Sequence, residues 1–162
     1  HSLLTPPSLH ASIIEGGKEL STYPDHCKLQ VERRTVPGET REMVETEIAL
    51  VLDICRQADA DFQAKSDVFF YREPLEIDRD AEIVRTLHGV IEKNLHREPT
   101  YNSSPGWMDS GILCAAGIPT VIFGPTGEGF HAPVEFAYRD SVVQCAQIFA
   151  DAIVAFCGTA TT

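Results

Sequence analysis

Cys27-Lys28-Leu29-Gln30-Val31-Glu32-Arg33 (CKLQVER) is the stretch on which the reading of the fold turns. Cys27, Leu29 and Val31 fall on one face, and Lys28, Gln30 and Glu32 on the other. A strict period of two predicts a half-buried strand with one wet side. Pro37-Gly38 ends it. Upstream, Ser8–Glu15 (SLHASIIE) is β-compatible and stops at Gly16-Gly17. Downstream, Val44, Ile48, Val51, Leu52 and Cys55 recur at helical spacing, so Thr40–Ala58 reads as an amphipathic helix with Thr40 as its N-cap. Asp61–Glu76, carrying Val68, Phe69, Phe70 and Tyr71, predicts a further strand. The order β-β-α-β matches the last four elements of a ferredoxin-like β-α-β-β-α-β sandwich. On this reading a first strand and helix precede His1.

The chain divides near Leu75–Asp78, giving a first domain over 1–76 and a second over 77–162. In the second, Ile83, Leu87, Val90, Ile91 and Leu95 predict a helix over Asp80–Leu95, capped by Asp78 or Asp80. Met108–Ala116 reads as a short helix ending at Gly117, with Pro119 beyond. Ile118–Phe123 (IPTVIF) is a continuous apolar run, the mark of a strand buried on both faces. Asp140–Phe156 closes the chain as a helix with Val142, Cys145, Ala146, Phe149, Ile153 and Phe156 on one stripe, capped by Asp140 or Ser141. A doubly buried strand needs neighbours, because each unpaired buried backbone group costs about 1–3 kcal/mol. The expected fold class is therefore α+β in the first half and the C-terminal part of an α/β domain in the second.

With 162 residues and a formal net charge of −11, the chain lacks the basic balance that nucleic-acid binding requires. No apolar run approaches the roughly 20 residues of a membrane span, and no leader is visible, so neither membrane nor nucleic acid is an expected partner. Cys27, Cys55, Cys114, Cys145 and Cys157 are odd in number and form no C-x-x-C pair. Four of the five fall on faces read as apolar, which suits small buried hydrophobes in a reduced, cytoplasmic compartment.

Three stretches carry chemistry. Gly124–Glu135 (GPTGEGFHAPVE) follows the apolar run, where ligands bind at the carboxyl ends of strands in open α/β sheets. Gly124 and Gly127 let backbone approach a ligand, His131 is a candidate zinc ligand, and Glu135 is a candidate partner orienting its ring. A turn bearing a surface histidine is the plainer alternative. Ser104–Gly111 (SPGWMDSG) places Gly106 in a turn and Asp109 at a helix start, where it either meets a ligand or simply caps the helix. Glu32–Glu39 (ERRTVPGE) puts Arg33 on the apolar face of the strand end and Arg34 on the wet one. A guanidinium there can hold a carboxylate bidentately, or be one of two surface arginines. His10, His26, His88 and His96 form no H-x-x-x-H or H-E-x-x-H, and no G-x-S-x-G or P-loop occurs. Cys114 reads as core.

The stretches ERRTVPGET and GWMDSGILCAAGIPTVIFGPTGEGFHAPVEF resemble the zinc-dependent amidohydrolases of the acetylornithine deacetylase, succinyl-diaminopimelate desuccinylase and carboxypeptidase type. SLHASIIEGGKELSTYPDHC resembles that family's lid, or dimerisation, domain. The resemblance implies a catalytic α/β domain with an inserted ferredoxin-like lid, and a homodimer formed through the lid. It implies two zinc ions activating a water that attacks an amide carbonyl. By position, His131 resembles the last metal ligand, and Arg34 the lid arginine that grips the substrate's carboxylate. Gly106, Asp109 and the Gly124–Gly129 loop resemble the segments shaping the pocket around the scissile amide.

The departures are as informative. Nothing matches the family's H-x-D pair, bridging Asp, Glu-Glu pair, further acidic ligand or lid histidine, and Ser21 stands where many members carry Asn. No residue of this chain is therefore assigned a catalytic role. The expectation is a C-terminal fragment of an enzyme hydrolysing N-acyl amino acids or peptide-like amides with a free carboxylate, inactive alone and holding no zinc by itself. The alternative is a non-enzymatic dimerisation or interaction module.

Overall fold

The computed structural model describes residues 1–159. It forms two compact units, His1–Pro74 with Ser103–Trp107, and Leu75–Asn102 with Met108 onward. Residues 160–162 of the expected second domain lie outside the described residues.

In the first unit, β1 (Ser8–Gly16) and β2 (Cys27–Arg34) pair antiparallel, from Ser8 opposite Arg34 to Gly16 opposite Cys27. The register slips between Ala11 and Ile13. The extra residue, Ser12, is a β-bulge. It leaves Leu9, Ala11 and Ile14, rather than Ile13, facing Arg33, Val31 and Leu29. Without that slip Ile14 would join the opposite face. β2 is not half buried as the alternation predicts: Leu29 and Val31 remain exposed, because the ribbon has two strands and nothing among the described residues covers that face.

The α1 helix spans Arg41–Ala58. Thr40 caps it as expected, its hydroxyl accepting the Met43 N–H at 3.3 Å. Val44 is buried, and Ile48, Leu52 and Cys55 are half-buried, whereas Val51 is exposed. No strand forms over Asp61–Glu76. A strand exists only as part of a ladder, and no described segment pairs with this one. The segment is tied down by side chains instead: Arg41 donates to the Val68 carbonyl at 2.6 Å, and Arg56 to that of Ala64 at 2.8 Å.

The second unit is built on α2 (Glu82–Leu95) and α4 (Arg139–Cys157). Val90 and Ile91 of α2 pack with Ile148 and Ala152 of α4, flanked by Leu87, Leu95 and Phe123. Asn94 pins the pair, donating to Asp151 at 2.9 Å. Asp78 accepts the Asp80 N–H in the turn before α2, but no side chain caps that helix. Its C-cap, His96, is left-handed.

The α3 helix (Ser110–Ala115) ends as expected at Gly117, where φ is +82° and the Ile118 N–H returns to the Leu113 carbonyl at 2.9 Å. Ile118–Phe123 forms no strand either, for want of a ladder partner. Parallel pairing is absent among the described residues, so the observed class is α+β: four helices and two small antiparallel sheets.

The buried side of α4 is Cys145, Ile148 and Ala152, while Phe149, Ile153 and Phe156 of the predicted stripe are exposed. Neither Asp140 nor Ser141 caps it. By length and composition alone α4 could cross a membrane, with a mean hydropathy of 1.4. It packs on α2 through Ile148 and Ala152 and is bonded to Asn94 through Asp151, with 11% of that apolar stretch buried.

Candidate functional site

The first unit holds Arg34 and Gly106. Arg34 lies at the end of β2 with its side chain 46% exposed. Its Nη1 donates to the Pro105 carbonyl at 3.0 Å, and its Nε meets Glu32 at 2.7 Å. The guanidinium thus sits on the Ser104–Gly106 turn, which is itself held by the Gly106 N–H donating to the Ser104 hydroxyl at 3.2 Å. Five donors with two engaged leave a fork able to take a carboxylate.

Arg33 behaves differently. Its two terminal nitrogens donate to Glu39 and to Glu47 of α1. The Arg33 and Glu39 side chains are 23% and 16% exposed. Burial pushes the Glu39 carboxyl upward, but the Val36 N–H and the Arg33 guanidinium outweigh it and hold it below its ordinary 4.5. The carboxylates of Glu47 and Glu39 raise Arg33 further above its already high value, against the opposing effect of burial. The Arg33–Glu39–Glu47 triad was not among the residues singled out from sequence. The signal for it was present: alternation puts Arg33 on an apolar face, where a cation requires partners.

The second unit holds Asp109, Gly124, Gly127, His131 and Glu135. Here β3 (Gly127–Glu128) and β4 (Phe136–Ala137) form a short hairpin, and His131 lies in its loop. A Cβ on Gly127 would stand 2.1 Å from the Phe136 carbonyl oxygen, and one on Gly129 1.9 Å from that of Val134. These glycines are needed for backbone to pass backbone. The hairpin is anchored to α4: the Thr126 N–H donates to the Ser141 hydroxyl at 2.7 Å, and the Tyr138 N–H to the Thr126 carbonyl at 3.0 Å. Gly124 has open space around it.

His131 itself is left-handed, with φ +60°, a conformation histidine adopts more readily than most residues. Its ring is exposed and meets Phe130 edge-on at 5.5 Å. Glu135 accepts the His131 backbone N–H at 3.3 Å, so it fixes the main chain rather than the imidazole.

Asp109 precedes α3 without capping it through its side chain. It borders a cavity of about 540 Å³ lined by Ile83, Leu87, Phe123, Phe149 and Phe156. The neighbouring Ser110 hydroxyl is buried without a hydrogen-bond partner.

A match to the model of peptidase family M20/M25/M40 covers residues 8–155. The chain belongs to that family. It is 27% identical over 93% of its length to the N-formyl-4-amino-5-aminomethyl-2-methylpyrimidine deformylase of Bacillus subtilis (strain 168), covering 38% of that protein. It is 26% identical over 94% of its length to the acetylornithine deacetylase of Myxococcus xanthus, covering 40% of it. The chain therefore spans about two-fifths of the length of these relatives.

A hydrolytic zinc site uses three protein ligands and a water. Among the described residues no three His, Cys, Asp or Glu side chains converge to hold a metal ion. The donor set of this family member among the described residues, one exposed imidazole, does not fit a zinc ion.

Proposed function

We propose that this chain is part of a longer metal-dependent hydrolase that cleaves the amide bond of N-acyl amino acids or peptide-like substrates with a free carboxylate. Family membership and relatives named for deformylation and deacetylation support the reaction class. The observation that carries the carboxylate is Arg34, exposed at a strand end beside the Ser104–Gly106 turn with donors to spare.

In this reading Arg34 binds the carboxylate, and Gly106 of the first unit and Asp109, Gly124 and Gly127 of the second are substrate-binding residues. His131 contributes one metal ligand, its main chain held by Glu135. Zinc is the cofactor of the longer enzyme. Residues 1–76 act as part of a ferredoxin-like lid through which two copies dimerise, and residues 77–162 as the end of the catalytic domain, in the cytoplasm.

One imidazole cannot retain zinc, so the chain alone is expected to be inactive. Zinc measured after exhaustive dialysis, alongside an N-acyl amino acid hydrolysis assay, tests this. Essentially no metal and no turnover is the expected result. About two ions per chain, or turnover abolished by a chelator, would overturn it.

A second reading is favoured by the uncovered apolar face of the β1–β2 ribbon: a non-enzymatic interaction module. It predicts that no longer polypeptide carrying this chain has amidohydrolase activity.

A further inference from the structure

The Glu39 carboxylate is shared between two places. One oxygen takes Arg33, and the other takes the Val36 N–H at 2.9 Å. Residues 33 and 36 stand on either side of Arg34 and Thr35, so a single carboxylate ties the Arg33 side chain to the main chain at Val36 across Arg34. The tie is braced further. The Glu39 N–H returns to the Val36 carbonyl at 3.1 Å, the Tyr71 hydroxyl donates to the Glu39 carbonyl at 3.1 Å, and Arg33 reaches across to Glu47 of α1. Arg34, by contrast, is nearly half exposed, and surface contacts of that kind hold a long side chain weakly. A guanidinium free to wander loses rotamer entropy on binding and presents its fork in the right direction only part of the time.

We propose that Glu39, with Arg33, is a positioning device for Arg34: it ties the Arg33 side chain to the Val36 main chain across that residue, so that the guanidinium is aimed before a carboxylate arrives. The proposal rests on the reading of Arg34 as the carboxylate-binding residue. Neither Arg33 nor Glu39 touches the carboxylate, and both act through Arg34.

Truncating one member would strand a half-buried charge and confuse folding with positioning. Replacing all three with uncharged groups of similar size (Arg33→Met, Glu39→Gln, Glu47→Met) strands none. The test follows the Arg34 Nε–Hε resonance of the labelled chain during titration with N-acetylglycine, with N-acetylglycinamide as the twin lacking a carboxylate. The wild type is expected to respond to the acid and not to the amide. Arg34→Ala should abolish acid binding measured on the backbone amides.

The triple variant should keep its circular dichroism and bind the acid about tenfold more weakly, the scale of one charge-assisted hydrogen bond. Glu47→Gln, which leaves the Glu39 bridge intact, should bind as the wild type does. If the triple variant unfolds, Glu39→Gln, in which Arg33 keeps Glu47, carries the same expected loss. Undiminished affinity in the folded clamp variant overturns the proposal and leaves the Arg34 reading standing. Undiminished binding in Arg34→Ala, or no response to the acid in the wild type, overturns that reading and the proposal with it.

Discussion

Glycines at two positions of this chain have opposite consequences. Gly129 has φ +77° and a backbone oxygen where its Cβ would go. Gly129→Ala is expected to cost about 1–3 kcal/mol in strain, and to melt the β3–β4 hairpin before the rest, seen as lost amide protection around His131. Gly89 lies inside α2 with open space about it. Gly89→Ala should instead stabilise by about 0.5–1 kcal/mol, read as a higher denaturant midpoint.

Glu39 gives the residue-scale pH dependence. Its carboxyl lies below 4.5 in the folded chain, so the unfolded state binds the proton more tightly. The stabilisation is fully present above the unfolded value, and is lost as pH falls through the folded one. Denaturant midpoints should hold steady near neutrality and drop below about pH 4.5, and Glu39→Gln should flatten that drop.

Among the elements, the α2–α4 pair is where packing is decided. Ile148 is 1% exposed and Ile153 on the same helix 60%. Ile148→Ala is expected to cost about 2–5 kcal/mol, and Ile153→Ala less than about 0.5, by urea denaturation of both variants. Elements with local causes were legible in the sequence. Thr40 announced α1 because a hydroxyl before an apolar stripe has one use, and Gly117 announced the end of α3 because only glycine turns that corner freely.

What failed was non-local. Asp61–Glu76 and Ile118–Phe123 have strand composition, but a strand is a relation between two segments, and composition does not say whether the second is at hand. The buried side of α4 was misread for a related reason. That helix is apolar nearly all round, so its periodicity could not say that Ile148 rather than Phe149 meets α2. At the candidate site, the Arg34 and His131 stretches stood out by their turns and glycines. The Glu39 bridge did not, because it depends on which way a carboxylate swings.

At the scale of the whole molecule, the chain exposes more apolar surface than a self-sufficient domain keeps. Leu9, Ile14 and Leu29 lie open on one unit, and Phe149, Ile153 and Phe156 on the other. Patches of this kind bind apolar dyes and drive association. The isolated chain is expected to enhance anilinonaphthalene sulfonate fluorescence and to sediment faster as its concentration rises. A monodisperse monomer that leaves the dye dark would contradict this.

The bond between Arg34 and the Pro105 carbonyl joins residues 71 apart, whereas the clamp around Arg34 closes within residues 33–47. During synthesis at roughly 5–20 residues per second, the clamp is complete some 3–12 s before Pro105 has been made. The arginine is aimed first and meets its turn later, so a codon-level pause between the two would lengthen the wait without disturbing the aim.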